Sequence, residues 1–224
     1  MLERRKKYLQ VALNSTLDEA SRIIATLPPS DRIIIEAGTP LIKRYGTEAI
    51  ANLYSLWQQK VAYNNIYPYI VADLKTMDRG NTEVEIAKSA GASAAIALGQ
   101  APIETLNTFI DSCKNEGIDS MIDMMNIDQP VKILRKLKKL PNVILLHRGV
   151  DEEAYNKNKP IPYDQINKLR ASFDTMISIA GGDTIREVQR AIFNDADIVV
   201  VWKEFYSSSQ DTGTLAEEFL KVIK

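Results

Sequence analysis

The chain has a single cysteine, Cys113, and a single histidine, His147, in 224 residues. One thiol excludes an intramolecular disulfide and a multi-thiolate zinc site, and it suits a reducing compartment. One imidazole excludes HExxH metal chemistry and the two-histidine facial triad. Positive charge is not in excess: 28 Lys and Arg stand against 29 Asp and Glu, a net charge of −1. That leaves no broad cationic surface to neutralise a run of phosphates, so electrostatic nucleic-acid binding is not expected. No segment approaches the roughly 20 apolar residues of a membrane span. The basic start, residues 1–7, leads into no long apolar stretch of the kind a secretory signal carries. These absences predict a cytoplasmic protein, and the length fits one domain spanning residues 1–224.

What the sequence does contain is a regular alternation. Short runs rich in Ile and Val, apolar on both faces as buried parallel strands are, fall at 8–13, 32–35, 69–72, 94–98, 120–122, 143–146, 176–180 and 198–201. Between them lie amphipathic stretches that predict helices over 17–27, 41–59, 82–90, 103–116, 130–140, 163–171, 184–193 and 212–223. Pro102 and Pro130 sit where a first helical turn tolerates proline, and Gly91 and Gly117 where a helix ends. Eight strand–helix units in an α/β chain without a linker predict a (β/α)8 TIM barrel. A doubly wound open sheet is the alternative, weakened by the count of eight and by the lack of a GxGxxG turn after the first strand. Two longer connections, 61–68 and 151–162, stand out; the second follows the sixth strand and has the charges and prolines of a loop over a site.

In a barrel the reactive groups come from the carboxyl ends of the strands. Those ends carry Asn14, Glu36, Asp73 with Lys75 and Asp78, Gly99, Asp123, His147 with Arg148, Gly181-Gly182, and Trp202-Lys203. Charged groups that each follow a fully apolar run converge on one mouth, which predicts an enzyme. The sharpest element is the Asp-x-Lys-x-x-Asp pattern of Asp73, Lys75 and Asp78. Period two would place Asp73 and Lys75 on one side of an extended chain. Taken alone, the triplet also fits a cluster of solvated charges at a helix start. Gly181-Gly182 ahead of Asp183-Thr184 offers backbone N–H groups to a phosphate. Cys113 is placed in a helix away from the mouth, and Trp57 and the Met124-Met125 pair in the core.

Val-Ala-Asp-Leu-Lys-Thr-Met-Asp (71–78), preceded by Ile-Glu-Ala-Gly-Thr-Pro-Leu-Ile-Lys (35–43), resembles the 3-hexulose-6-phosphate synthases of the orotidine-5′-phosphate decarboxylase superfamily. His147 to Glu153 and Ile179-Ala180-Gly181-Gly182 resemble that family's motifs at the sixth and seventh strands. The resemblance covers essentially the whole chain. It is close to the synthase domain of archaeal bifunctional proteins that also carry a formaldehyde-activating domain.

The resemblance implies an aldolase that interconverts D-ribulose 5-phosphate plus formaldehyde and D-arabino-hex-3-ulose 6-phosphate through a magnesium-stabilised enediolate. By the same resemblance, Glu36 and Asp73 match metal ligands, Lys75 an electrostatic stabiliser, His147 a general acid/base, and Asp78 a residue donated across a homodimer interface. Asn14, Arg148, Gly181, Gly182 and Lys203 are the expected substrate contacts. Two departures bear on this. Asn14 stands where the family usually has aspartate, and Trp202-Lys203 where the wider superfamily has a glycine-containing turn. Decarboxylation of 3-keto-L-gulonate 6-phosphate and a non-catalytic sugar-phosphate-binding barrel are the alternative readings.

Overall fold

A computed structural model describes residues 1–156, 160–181, 184–202 and 212–223. Its strands are β1 (Tyr8–Leu13), β2 (Ile33–Ala37), β3 (Ile70–Thr76), β4 (Ala94–Leu98), β5 (Asp119–Asp123), β6 (Val143–His147), β7 (Met176–Ala180) and β8 (Ile198–Val201). They close in sequence order into one barrel, every neighbour parallel, with β8 pairing back onto β1 through Tyr8–Ile198 and Val11–Val201. The expected (β/α)8 barrel is the fold.

Strand periodicity divides the apolar residues into two layers. On β1, Leu9, Val11 and Leu13 face outward into the shell between strands and helices, while Tyr8 and Ala12 join the barrel interior. The interior also takes Ile34, Val71, Ile96, Met121, Leu145, Ala180 and Val200. Side chains therefore fill the barrel, as in other barrels of this size, and space for a ligand lies beyond its ends rather than inside it.

Helices cover the outer layer: α1 (Leu17–Thr26), α2 (Thr39–Tyr45), α3 (Thr47–Val61), α4 (Gly80–Ser89), α5 (Ile103–Glu116), α6 (Pro130–Leu134), α7 (Val150–Tyr155), α8 (Asp164–Ser172), α9 (Ile185–Phe193) and α10 (Thr212–Val222). In α5 the buried residues Leu106, Phe109, Ile110 and Cys113 recur at helical spacing, which accounts for the buried thiol as packing. Thr16 caps α1 by accepting from the Glu19 N–H, and Thr184 and Glu187 close a capping box on α9.

Besides shifts of a few residues at other element ends, three expected boundaries change. The helix expected over 41–59 is two helices, broken where Gly46 takes φ +62°, a left-handed backbone that helix cannot continue through. The helix expected over 130–140 stops at Leu134. The connection 151–162 is not all loop, because α7 occupies its start. No helix among the described residues is long and apolar enough to cross a membrane.

Candidate active site

A cavity of about 410 Å³ opens at the carboxyl ends of the strands. Its floor is the top of the interior layer, Ala12, Ile96, Leu145, Ala180 and Val200. Polar groups reach it from several strand ends: Asn14, Glu36, Asp73, Lys75, His147 and Arg148. Thr39 and Pro40 of α2 form one wall, Gly149, Val150 and Glu153 another, and Met125 and Trp202 also face the space. Sequence reasoning put both Met124 and Met125 in the core; Met124 is buried there, whereas Met125 lines the cavity.

β2 runs on through Glu36, pairing it with Val71, so the carboxylate rises from inside the strand. It is 6% exposed. Burial, and then the charge of Asp73, push its pKa up to about 7. Its Oε2 accepts from the amide Nε2 of Gln10, a buried residue on β1.

Lys75 reaches the mouth differently from the expectation. It is not in plain extended backbone: it takes φ +48°, and the β3–β4 register shifts between Ala72 and Thr76. The kink brings Lys75 Nζ to 2.9 Å from Asp73 Oδ2, 3.3 Å from Asp73 Oδ1 and 3.1 Å from Asp123 Oδ2. Burial works against the ammonium charge, but Asp73 and Asp123 outweigh it and raise the pKa. Lys75 is therefore a permanent cation between two acids.

Asp123, fully buried at the end of β5, is the residue to which the sequence assigned no role. Its Oδ2 lies 2.8 Å from His147 Nδ1, and its Oδ1 accepts from the Met125 N–H at 2.9 Å. Burial disfavours the Asp123 anion, yet the His147 and Lys75 charges and these hydrogen bonds hold its pKa below the ordinary value. For His147, burial lowers the pKa, and the Asp123 charge and hydrogen bond more than reverse it, giving a net rise. The sequence places Asp123 among the strand-end residues, as a carboxylate closing an apolar strand like Glu36; its role emerges only from these contacts. Gln10, in the interior face of β1, is set apart only by its contact with Glu36.

Arg148 lines the cavity and donates from Nη2 to the Gly181 carbonyl at 2.6 Å, with Glu153 and Glu187 carboxylates at 3.7 and 4.0 Å. It therefore braces the ends of β6 and β7 together as well as facing the space. Gly181 needs to be glycine: its φ is +103°, and a Cβ would lie 2.5 Å from the Arg148 carbonyl oxygen. Asn14 packs on Gly38, where a Cβ would meet its Oδ1 at 1.9 Å. Asp78 is exposed beyond the end of β3 and does not line the cavity of its own chain. Gly182 and Lys203 lie outside the described residues.

Among the described residues no group of three His, Cys, Asp or Glu side chains could cage a metal. Two buried acids facing one cavity, with Asp73 raising the cost of a charge on Glu36, still fit a hard cation. Magnesium commonly takes only one or two carboxylates and completes its shell with water and ligand oxygens.

A family model described as the orotidine 5′-phosphate decarboxylase / HUMPS family matches residues 7–218. The chain is 35% identical over 221 residues to the bifunctional enzyme Fae/Hps of Methanocella arvoryzae, covering 97% of this chain and 53% of that protein. It is 36% identical over 221 residues to the Fae/Hps of Archaeoglobus fulgidus, with the same coverage. The chain thus spans about half the length of these curated relatives. Among solved structures, the 3-hexulose-6-phosphate synthase of Salmonella typhimurium superposes with a TM-score of 0.84 at 27% identity, over 96% of this chain and 98% of that one. A KGPDC from Streptococcus mutans, at 18% identity and TM-score 0.77 over 97% of each chain, shares the fold.

Proposed function

Because the chain belongs to the orotidine 5′-phosphate decarboxylase / HUMPS family, we propose that it is a 3-hexulose-6-phosphate synthase. The reaction would join D-ribulose 5-phosphate and formaldehyde into D-arabino-hex-3-ulose 6-phosphate, and reverse it. The observation that carries this reading is that Glu36, Asp73, Lys75 and His147 face one cavity, with Lys75 and His147 joined behind it through buried Asp123. The aldolase reading is favoured over decarboxylation because the relatives described above at more than 25% identity are named Fae/Hps or 3-hexulose-6-phosphate synthase.

Removing a proton beside the ketone of ribulose 5-phosphate leaves an enediolate whose charge needs stabilising. Lys75, held charged by two acids, supplies fixed positive charge for that oxygen without reorganising. His147, oriented through Nδ1 by Asp123, keeps Nε2 for proton transfer with the substrate. Glu36 and Asp73 would hold a magnesium ion, which supplies Lewis-acid stabilisation of the same developing charge. Arg148 and Gly181, with Asn14, bound the space for the sugar phosphate. The apolar floor excludes water from the reacting carbons. Asp78 completes a neighbouring subunit's site in a homodimer.

The test is formaldehyde consumption by the purified chain with magnesium and ribulose 5-phosphate, and its loss on adding EDTA. No consumption, with EDTA making no difference, rejects the reading. Turnover of 3-keto-L-gulonate 6-phosphate in its place would transfer the assignment to the decarboxylase.

A further inference from the structure

Two side chains beside the acids have no part in the reaction just described. Gln10 is 1% exposed inside the barrel and touches Glu36 from below. Its Nε2 donates to Glu36 Oε2, while its own Oε1 is buried with no hydrogen-bond partner. A buried orphan acceptor costs stability, and a packed apolar residue would avoid that cost. Turning the amide over would set oxygen against carboxylate, so the carboxylate dictates the orientation. Thr39, at the start of α2, places Oγ1 2.9 Å from Asp73 Oδ2 and 2.8 Å from the Asp73 carbonyl oxygen. Its single proton can serve either acceptor, so the hydroxyl keeps a partner when the carboxylate is engaged elsewhere.

The contacts are one-sided. Glu36 uses Oε2 for Gln10, and its Oε1 makes no hydrogen bond among the described residues. Asp73 takes Thr39 and the shorter Lys75 contact on Oδ2, leaving Oδ1 with the 3.3 Å Lys75 contact. We infer that Gln10 and Thr39 are positioning residues that each occupy one oxygen of an acid and so present the other oxygen to a divalent cation. The inference rests on the reading that Glu36 and Asp73 hold such a cation. Partners behind the ligands fix their rotamers, and losing one typically weakens metal affinity by about 10–100-fold.

The probe is Mn²⁺, titrated into the substrate-free full chain at mildly alkaline pH and followed by the electron-spin resonance of the free ion. Thr39→Val removes the hydroxyl at nearly constant shape, and Thr39→Ser restores it. Gln10→Leu removes the amide at similar volume. The expected result is binding about 10-fold weaker or more in Thr39→Val and Gln10→Leu, with Thr39→Ser close to the parent and thermal unfolding showing all three folded. If the parent binds Mn²⁺ and folded Thr39→Val and Gln10→Leu bind it equally well, the inference is overturned while the proposed metal site stands. If Thr39→Ser is as weak as Thr39→Val, the hydroxyl is not what matters and the role of Thr39 falls. If the parent itself binds no Mn²⁺, the metal reading fails and takes this inference with it.

Discussion

His147 Nδ1 and Asp123 Oδ2 lie 2.8 Å apart, and the carboxylate in that pair is completely buried. The same oxygen receives Lys75, so one carboxylate links the group that moves a proton to the group that holds fixed charge. Asp123→Asn keeps the shape and removes the charge. His147 then loses the charged partner that raises its pKa and stabilises its protonated form. Turnover should fall by about 10²–10⁴-fold with a smaller change in KM. Since His147 is the sole histidine, proton NMR can follow its titration without assignment. The midpoint should drop in the variant, and an unmoved midpoint would separate the pair.

The pH dependence of stability follows from Glu36. Its carboxyl is raised from 4.5 to about 7 by burial and by Asp73. Between those values the folded chain holds a proton that the unfolded chain has released. Stability of the cation-free protein should therefore fall as pH rises through that window, by on the order of 3 kcal/mol in total. His147, also raised, acts in the same direction: its contribution is present at low pH and fades as pH rises through its folded value. Glu36→Gln, neutral throughout, should flatten most of the slope in thermal unfolding curves. Magnesium should oppose the slope in the parent, because binding the anion displaces the proton.

Gly181→Ala puts a side chain at φ +103° and against the Arg148 carbonyl. The strained backbone alone costs about 1–3 kcal/mol, or roughly 2–10 °C in Tm for a chain of this size. Activity should fall as well, because the Arg148–Gly181 bond that joins the ends of β6 and β7 is displaced. A calorimetric scan alongside the formaldehyde assay measures both effects.

Asp78→Ala should abolish turnover while leaving Mn²⁺ affinity nearly unchanged, since Asp78 is exposed and apart from its own chain's cavity. Mixing it with a Lys75→Ala variant should restore part of the activity, because a mixed dimer contains one site with both residues intact. Full activity in Asp78→Ala would rule out a shared site.

Most of the fold was legible because a buried parallel strand is a local signal. The runs at 8–13, 94–98, 176–180 and 198–201 needed no adjustment. The ends that shifted were those where polar residues continue a strand. Glu36 and Asp123 look like loop residues by composition, yet β2 runs past Glu36 to Ala37 and β5 ends on Asp123. The break at Gly46 was missed because apolar spacing continues on either side of it. In the site, the acids, the lysine and the histidine could be read from strand ends, because a charge set directly after an apolar run is costly to desolvate and persists there when it has chemistry to do. Thr39 and Gln10 could not, since their importance lies in which oxygen they touch. No sequence pattern encodes that choice.

The left-handed backbone at Lys75 couples shape to charge. A lysine there endures a conformation that side chains disfavour, and two flanking carboxylates draw its ammonium inward. Swapping in valine, isoleucine or threonine would both discharge the pocket and press a branched carbon into that twist, loosening the staggered join to β4. An engineer who wants new chemistry on this scaffold would have to redraw the third stave first, or choose glycine or asparagine as the replacement.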